Sequence, residues 1–426
     1  MRVLLISANT ETINMPVLPL GLACVARATE RAGHAVRTVN LMARQDVNPA
    51  IAAAISDFRP DVIGISVRNI DDQVMGAPRF LLEPVREMIA FCRSLTDRPI
   101  IIGGAGYSIF PHSALAYLQA DAGIQGEGER TFVQVLERLE NGADLTGMAG
   151  VYLPQKGLQG PVQRTADLDD LALPLPGIHL TLPPQLKPQE IWLPFQTRRG
   201  CPMGCSYCST ALIEGTQLRR RDPRRVVEIL SAYAAAGFGR IFFVDNTFNL
   251  PLGYAKQLCD RIVEKGLKLA WRCILYPWKV DRQLVEKMAA AGCVEVSLGF
   301  ESGSSPILRQ MGKKHSLEDV RRISDMLKQH GIRRMGFLLL GGPGENRQSV
   351  LDSLKFAADL NLEAMKITTG IRIYPHTPLA RRAQSEGRLG PDEDLLFPKF
   401  YMVEGLETWL RETVASWIKD RSNWFA

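Results

Sequence analysis

The sequence predicts an α/β protein built from two successive parallel sheets, an open doubly wound sheet and then a partial six-stranded barrel, closed by a short C-terminal cap. Three observations predict it. Short apolar runs alternate with amphipathic stretches over residues 1–140; seven prolines between Pro154 and Pro188 interrupt that pattern; and the alternation resumes at Ile191. Continuous apolar strands separated by helices belong to parallel sheets covered on both faces.

In the first region, strands are expected at 3–6, 35–39, 62–67, 100–102 and 122–125. A helix begins near Pro19, whose fixed φ suits a first turn, and stops at Gly33; further helices fit 48–57, 80–93, 112–119 and 129–140. Five such strands make a flavodoxin-like sheet, in which ligands bind at the carboxyl ends of the strands, where strand order reverses. Residues 141–190, with their prolines and with Asp167, Asp169 and Asp170, read as an extended connector. Beyond it, strands are expected at 191–197, 240–245, 269–275, 293–299, 335–340 and 366–373, with helices at 223–236, 252–266, 281–291, 317–330 and 347–360. Six β/α repeats make an open barrel, smaller than the eightfold one. Residues 381–426 are expected to cap it, giving domains 1–140 and 191–380 with a linker between them.

Composition excludes several classes. The 51 basic and 45 acidic residues leave a net charge of only +6, weak support for a nucleic-acid partner. The one dense basic run, Arg219, Arg220 and Arg221 with Arg224 and Arg225, reads as a solvated helix start. No apolar run is long enough to span a membrane, and the opening residues lack the h-region of a signal peptide, so a cytoplasmic protein is expected. Five of the eight cysteines (Cys24, Cys92, Cys259, Cys273 and Cys293) lie among apolar neighbours and read as buried reduced thiols.

The other three are Cys201, Cys205 and Cys208, on a loop that follows the first barrel strand, at the face where barrel active sites lie. Gly200 and Gly204 let the backbone curl around a bound group. Three thiolates satisfy three irons of a cubane and leave the fourth open. The competing reading is structural zinc, which takes four ligands; the next His or Cys residues along the chain are His179 and Cys259, both remote.

This C-x3-C-x-Tyr-C segment resembles the signature of the radical-SAM superfamily. Tyr207 matches the aromatic position near the adenine in that family. Asp245, in Phe243–Phe248, resembles the second-strand ending that contacts the methionyl group; Ser297 and Glu301, in Ser297–Gly303, resemble the segment after the fourth strand tied to ribose and methionine contacts. Leu340, in Phe337–Glu345, resembles the fifth-strand segment by the adenine; Tyr374 and His376, in Ile371–Pro378, resemble the sixth-strand ending. Many relatives have a second acid where Asn246 stands and a glycine where His376 stands. From the residues alone, Asp245 equally suits a helix cap and Glu301 an arginine partner.

The first region resembles the cobalamin-binding subgroup of that superfamily through Pro19, Leu20, Gly21 and Leu22, through Ile63, Gly64, Ile65 and Ser66, through Ile102, Gly103 and Gly104, and through Gly126, Glu127, Gly128 and Glu129. Gly103 and Gly104 lack Cβ atoms and would admit the cofactor's nucleotide tail, with Ser66 as a hydrogen-bonding partner. Residues 7–21 contain no His, so the lower axial ligand that many cobalamin domains supply from that loop is missing. Arg68 is placed near that lower face, or else paired with Asp71 or Asp72.

The resemblance implies a 4Fe–4S cluster that passes an electron to S-adenosylmethionine, a 5′-deoxyadenosyl radical, and methyl transfer from cobalamin to an unactivated carbon. Tyr374 and His376 are then the expected catalytic residues, and Arg272, Tyr276, Trp278 and Arg372 further substrate-side candidates. A small metabolite or lipid intermediate is the expected substrate, and an external donor such as a flavodoxin or ferredoxin supplies the electron. The alternatives are cyclisation, rearrangement or aminocarboxypropyl transfer by the same fold, with or without cobalamin, and a non-catalytic scaffold.

Overall fold

In the computed structural model the described residues are all except 12–16, 43, 181 and 183–185. The expected chain breaks at Pro183 and Pro184 therefore lie outside the described residues.

The first sheet contains β1 (Arg2–Ser7), β2 (Ala35–Asn40), β3 (Val62–Ser66), β4 (Ile100–Gly103) and β5 (Ala122–Ile124), all parallel, in the order β2-β1-β3-β4-β5. Order reverses between β1 and β3, which opens a crevice at their carboxyl ends. Strand alternation divides the apolar side chains between two helix layers. Leu4, Ile6, Ile63, Ile65, Ile100 and Ile102 pack on the helices Val47–Phe58 and Leu82–Leu95. Val3, Leu5, Val62, Ile101 and Ile124 pack on Leu20–Arg31 and Gly128–Glu140.

Part of the expected connector is structured. Residues 151–158 form β6 (Val151–Leu153) and β7 (Gly157–Leu158), which extend the first sheet antiparallel beyond β5. Strands of three and two residues carry no readable periodicity, and the flanking prolines hid them.

The second sheet begins with β8 (Leu193–Phe195). A two-residue ladder follows, β9 (Arg198–Arg199) antiparallel to β10 (Arg219–Arg220). Next come β11 (Arg240–Phe243), β12 (Ala270–Leu275), β13 (Cys293–Glu301), β14 (Arg333–Leu340) and β15 (Ala364–Thr369). β16 (Ile371–Arg372) and β17 (Phe400–Tyr401) form a separate antiparallel pair, and β18 (Trp424–Phe425) follows near the end of the chain. The sheet order is β18-β15-β14-β13-β12-β11-β8, with every neighbouring pair parallel. The tail was expected to cap the barrel; its last residues instead add an edge strand beside β15.

Alternation fixes which side chains enter this sheet's concave face. Val296, Leu298 and Phe300 are buried in the core beneath the helices, whereas Ser297, Gly299 and Glu301 face the other way. On β14, Leu338 and Leu340 join the same core, and Met335, Phe337 and Leu339 face inward.

The two halves share a continuous core, since Ile307, Met311, Ile371, Ile373 and Tyr401 cluster with apolar residues of the first sheet. A buried ion pair, Arg372 Nε to Asp71 Oδ2 at 2.8 Å, joins the loop after β3 to β16.

Candidate active site

The cysteine loop is an excursion pinned at its base by the β9–β10 ladder. Gly200 has φ +92°, and a Cβ there would stand 2.0 Å from the Gln217 carbonyl, so only glycine can open the loop. Cys201 N donates to the Gly215 carbonyl at 3.0 Å. Ser206 is held from both sides: its N donates to Met311 O at 3.0 Å, and its carbonyl accepts from Leu379 N at 2.9 Å.

All three thiols of the loop are free and half-buried, and the other five are buried. Cys201 and Cys205 pack against Met203, Leu250, Tyr276 and Trp278. Burial pushes both thiols up, so thiolates at these positions call for a cation against them. Among the described residues, no three His, Cys, Asp or Glu side chains converge as the ligands of one metal ion would. A cubane takes each thiolate on a different iron, so a three-thiol, apolar-walled loop fits a cluster better than a single ion.

Asp245, expected among the cofactor contacts, is fully buried and otherwise engaged. Its carboxylate accepts from Thr197 N at 2.7 Å, Thr197 Oγ1 at 2.6 Å and Arg198 N at 3.0 Å, and it pairs with Arg198 Nε at 3.1 Å. It positions the strand end that leads into the cysteine loop. The Leu340 side chain, expected beside the adenine, likewise lies in the core under the helices; the inward residue next to it is Leu339, which packs against the same apolar cluster as Tyr207. The strand's two-residue period decides this, and the motif alone does not reveal its parity.

Tyr207 and Glu301 do come together, through Lys313. Lys313 Nζ lies 3.2 Å from Glu301 Oε1, and 5.4 Å and 5.5 Å from the Tyr207 and Tyr276 ring centres. Burial is the largest influence and opposes the ammonium charge, but Glu301, Tyr207 and Cys205 together outweigh it and push the Lys313 ammonium up. Glu301 itself has φ +65°, rare for a residue with a side chain. Ser297 shares its strand face.

The remaining candidates divide. Arg272 lies over the Trp192 and Phe242 rings at 4.7 Å each and 3.5 Å from Glu295. Tyr276 and Trp278 wall the cysteine loop, and Asn249, which the sequence did not single out, binds both their carbonyls through Nδ2. Arg372 is committed to Asp71 and to the Ile373 and Leu395 carbonyls, not to a substrate. Tyr374 packs beneath Arg372 and 6.2 Å from Phe110 of the first region. His376 is exposed in a turn at φ +60°, a backbone conformation that favours glycine, and lies outside the enclosed site.

A cavity of about 320 Å³ opens between the halves. Ser7, Ser66, Gly103, Gly104 and Ile124 line it from the first sheet; Pro194, Gln196, Arg199, Glu214 and Val244 line it from the second. Gly103 is a cradle position: a Cβ there meets only the Ile124 carbonyl, at 3.5 Å, and otherwise faces open space. A flat, bulky cofactor tail fits such a glycine-walled crevice at a strand-order reversal. Arg68 lines the same cavity and is exposed. The expected pairing with Asp71 or Asp72 does not occur, because Asp71 holds Arg372 and Asp72 holds Arg79 at 3.1 Å.

The basic run is also not a solvated helix start throughout. Arg219 and Arg221 turn inward, Arg219 to Glu127 at 2.5 Å and Arg221 to the Leu171 carbonyl at 2.8 Å; only Arg220, Arg224 and Arg225 stay outside.

Comparison with known proteins agrees with this two-part site. Residues 6–136 match the B12 binding domain, and residues 196–357 match the Radical SAM superfamily. An uncharacterized methyltransferase of Pyrococcus horikoshii is 28% identical over 393 residues, covering 89% of this chain and 82% of that protein. Tryptophan 2-C-methyltransferase of Streptomyces laurentii is 24% identical over 444 residues, covering 88% of this chain and 73% of its own length. The structure of the radical S-adenosylmethionine methyltransferase TsrM from Kitasatospora setae, with tryptophan and a SAM analogue bound, superposes with a TM-score of 0.88 at 22% identity, over 98% of this chain and 88% of that one.

Proposed function

Because the chain belongs to the radical SAM enzymes that also carry a B12-binding domain, we propose that it methylates a carbon of a small metabolite or lipid intermediate. The observation that carries this reading is the shared wall: Gln196, Arg199 and Glu214 brace the base of the cysteine loop and also line the glycine-walled cavity. Two cofactor sites that share residues serve one reaction.

Cys201, Cys205 and Cys208 would hold the cluster, and a bound cluster with one iron left unligated by the chain would supply the site for S-adenosylmethionine. Tyr207, Ser297, Glu301 and Lys313 would surround the cosubstrate; Glu301 would accept from its ammonium or ribose groups, with Lys313 paired to it at 3.2 Å. Gly103, Gly104 and Ser66 receive the cobalamin tail. Arg68, with no carboxylate partner among the described residues, lines the same cavity, where its guanidinium would disfavour positive charge on a bound metal. Together the bound groups supply reductive cleavage of a sulfonium and transfer of a methyl group; the chain's share is to orient them and to exclude water and oxygen. Tyr374, at the seam of the two halves, faces the substrate side. An external flavodoxin or ferredoxin supplies electrons, and the free thiols suit a reducing cytoplasm.

The test is anaerobic purification and reconstitution, followed by reduction in the presence of S-adenosylmethionine and a panel of small carbon acceptors. S-adenosylhomocysteine and a methylated acceptor are expected only when iron and cobalamin are both bound. 5′-Deoxyadenosine without any S-adenosylhomocysteine would contradict methyl transfer and favour cyclisation or rearrangement.

A further inference from the structure

An unbroken run of buried and half-buried polar side chains links the cavity to the backbone just before Cys201. Glu127 and Glu129 stand at the start of the helix Gly128–Glu140 and line the cavity. Glu129 Oε1 lies 2.5 Å from Arg199 Nη2, and Arg199 Nη1 also reaches Glu127 Oε1 at 3.6 Å. Arg199 Nε donates to Gln196 Oε1 at 3.0 Å, and Gln196 Nε2 donates to Glu214 Oε1 at 2.7 Å. Glu214 Oε2 then accepts from Gly200 N at 2.9 Å and from Asn246 Nδ2 at 2.6 Å. Arg219 closes the group, 2.5 Å from Glu127 and donating to the Glu214 carbonyl at 3.0 Å.

Three features set this run apart from an ordinary interface clamp. Glu129, Arg199, Gln196 and Glu214 also line the cavity, so a group entering there touches the relay itself. Glu129 and Arg199 are buried and Gln196 and Glu214 half-buried, where screening is weaker than at the surface and a shift of one charge is felt by the next. It ends on the amide of Gly200, a position that only glycine can fill because a Cβ at its φ of +92° would stand 2.0 Å from the Gln217 carbonyl.

We infer that Glu129, Arg199, Gln196 and Glu214 are positioning residues that transmit occupancy of the cobalamin cavity to the cluster loop. The inference rests on the reading of cavity and loop given under Proposed function. Filling the cavity presses on Glu129 and Arg199, re-aims the Gln196–Glu214 pair, and alters the hydrogen bonding of the peptide that precedes Cys201. Backbone geometry and charge near the thiolates tune a cluster's electronic properties.

The experiment compares the electron paramagnetic resonance spectrum and reduction potential of the cluster-loaded full chain before and after cobalamin is added. Wild type, Glu129→Gln and Gln196→Met are examined, with iron and cobalamin counted in each. In the wild type, cobalamin shifts both readouts. In Glu129→Gln and Gln196→Met the shift is lost while iron content stays at the wild-type level. Should Glu129→Gln fail to fold, the apolar replacement at Gln196, which removes both amide hydrogen bonds, decides in the same way. A wild-type chain that binds both cofactors and shows no shift, or variants that keep it, overturns the inference alone. A wild-type chain that takes up no cobalamin overturns the functional reading and this inference with it.

Discussion

At the residue scale, spacing in sequence and position in space carry different kinds of information. Cys201, Cys205 and Cys208 are legible in sequence because three ligands on one short loop need no distant partner. Asp245 is not legible: the groups that consume its carboxylate, Thr197 and Arg198, are 48 and 47 residues away. Lys313 also went unread, since it meets Glu301 only after a turn and a short helix have intervened; a lysine following Gly312 gave no motif to notice. Glu345 is a further buried carboxyl that the motif named without a role. It accepts from Gly341 N and from Gly342 N, the latter at 3.0 Å, while Oε1 is buried without a partner. Burial pushes its carboxyl up from an ordinary 4.5 to about 7. With the folded value above the unfolded one, the protonated form stabilises the fold at low pH, and that contribution is lost as pH rises from near 4.5 through about 7. Glu345→Gln is expected to remove this dependence, gaining up to roughly 3 kcal/mol near pH 8 relative to the wild type. Urea midpoints of the intact chain between about pH 5 and 8 check it; parallel pH profiles would show that Glu345 ionises without cost.

At the scale of elements, long strands and helices were legible and two-residue ones were not. The apolar runs of β1, β3 and β4 and the 3.6-residue period of the helices survive into the structure within a few residues at each end. The helix Ala105–Ile109, the ladder β9–β10 and the edge strand β18 were missed, because elements this short show no period. Parity was the other loss. The motif ending at Leu340 located the strand but not which of its residues face inward, and the core beneath the helices claimed Leu338 and Leu340. The β4 turn offers a test at this scale. Gly103 has room for a methyl group, with its nearest neighbour at 3.5 Å, whereas Gly104 has φ +108° and a Cβ there would lie 2.5 Å from the Val67 carbonyl. Gly103→Ala is expected to fold with unchanged stability and lose at least tenfold in cobalamin affinity, by about 1.4 kcal/mol or more. Gly104→Ala is expected to destabilise the fold itself. Cobalamin titration alongside thermal unfolding separates the two; full affinity in Gly103→Ala would place the cofactor tail elsewhere.

At the scale of the whole molecule, the two halves behave as one body. The pair Asp71–Arg372, the group Glu127, Glu129, Arg199 and Arg219, and a core shared between the first sheet and the residues around β16 all cross the seam. None of this was legible in sequence, because every such contact joins residues far apart along the chain, and the connector read as extended gave no sign that residues 151–158 extend the first sheet. Domain order and cofactor class were legible, because motifs survive at strand ends whatever the packing between domains. The seam places the glycine-walled cavity against the cysteine loop, and the proposed reaction depends on a cubane with one corner left to the cosubstrate. The most direct measurement is iron content and Mössbauer spectroscopy of the anaerobically reconstituted chain, with and without S-adenosylmethionine, for the wild type and for Cys201→Ala, Cys205→Ala and Cys208→Ala. About four irons per chain are expected, one of them changing its spectrum when the cosubstrate is added, with the cluster lost in each variant. Zinc at the loop, a spectrum indifferent to the cosubstrate, or an intact cluster in any single variant would contradict it.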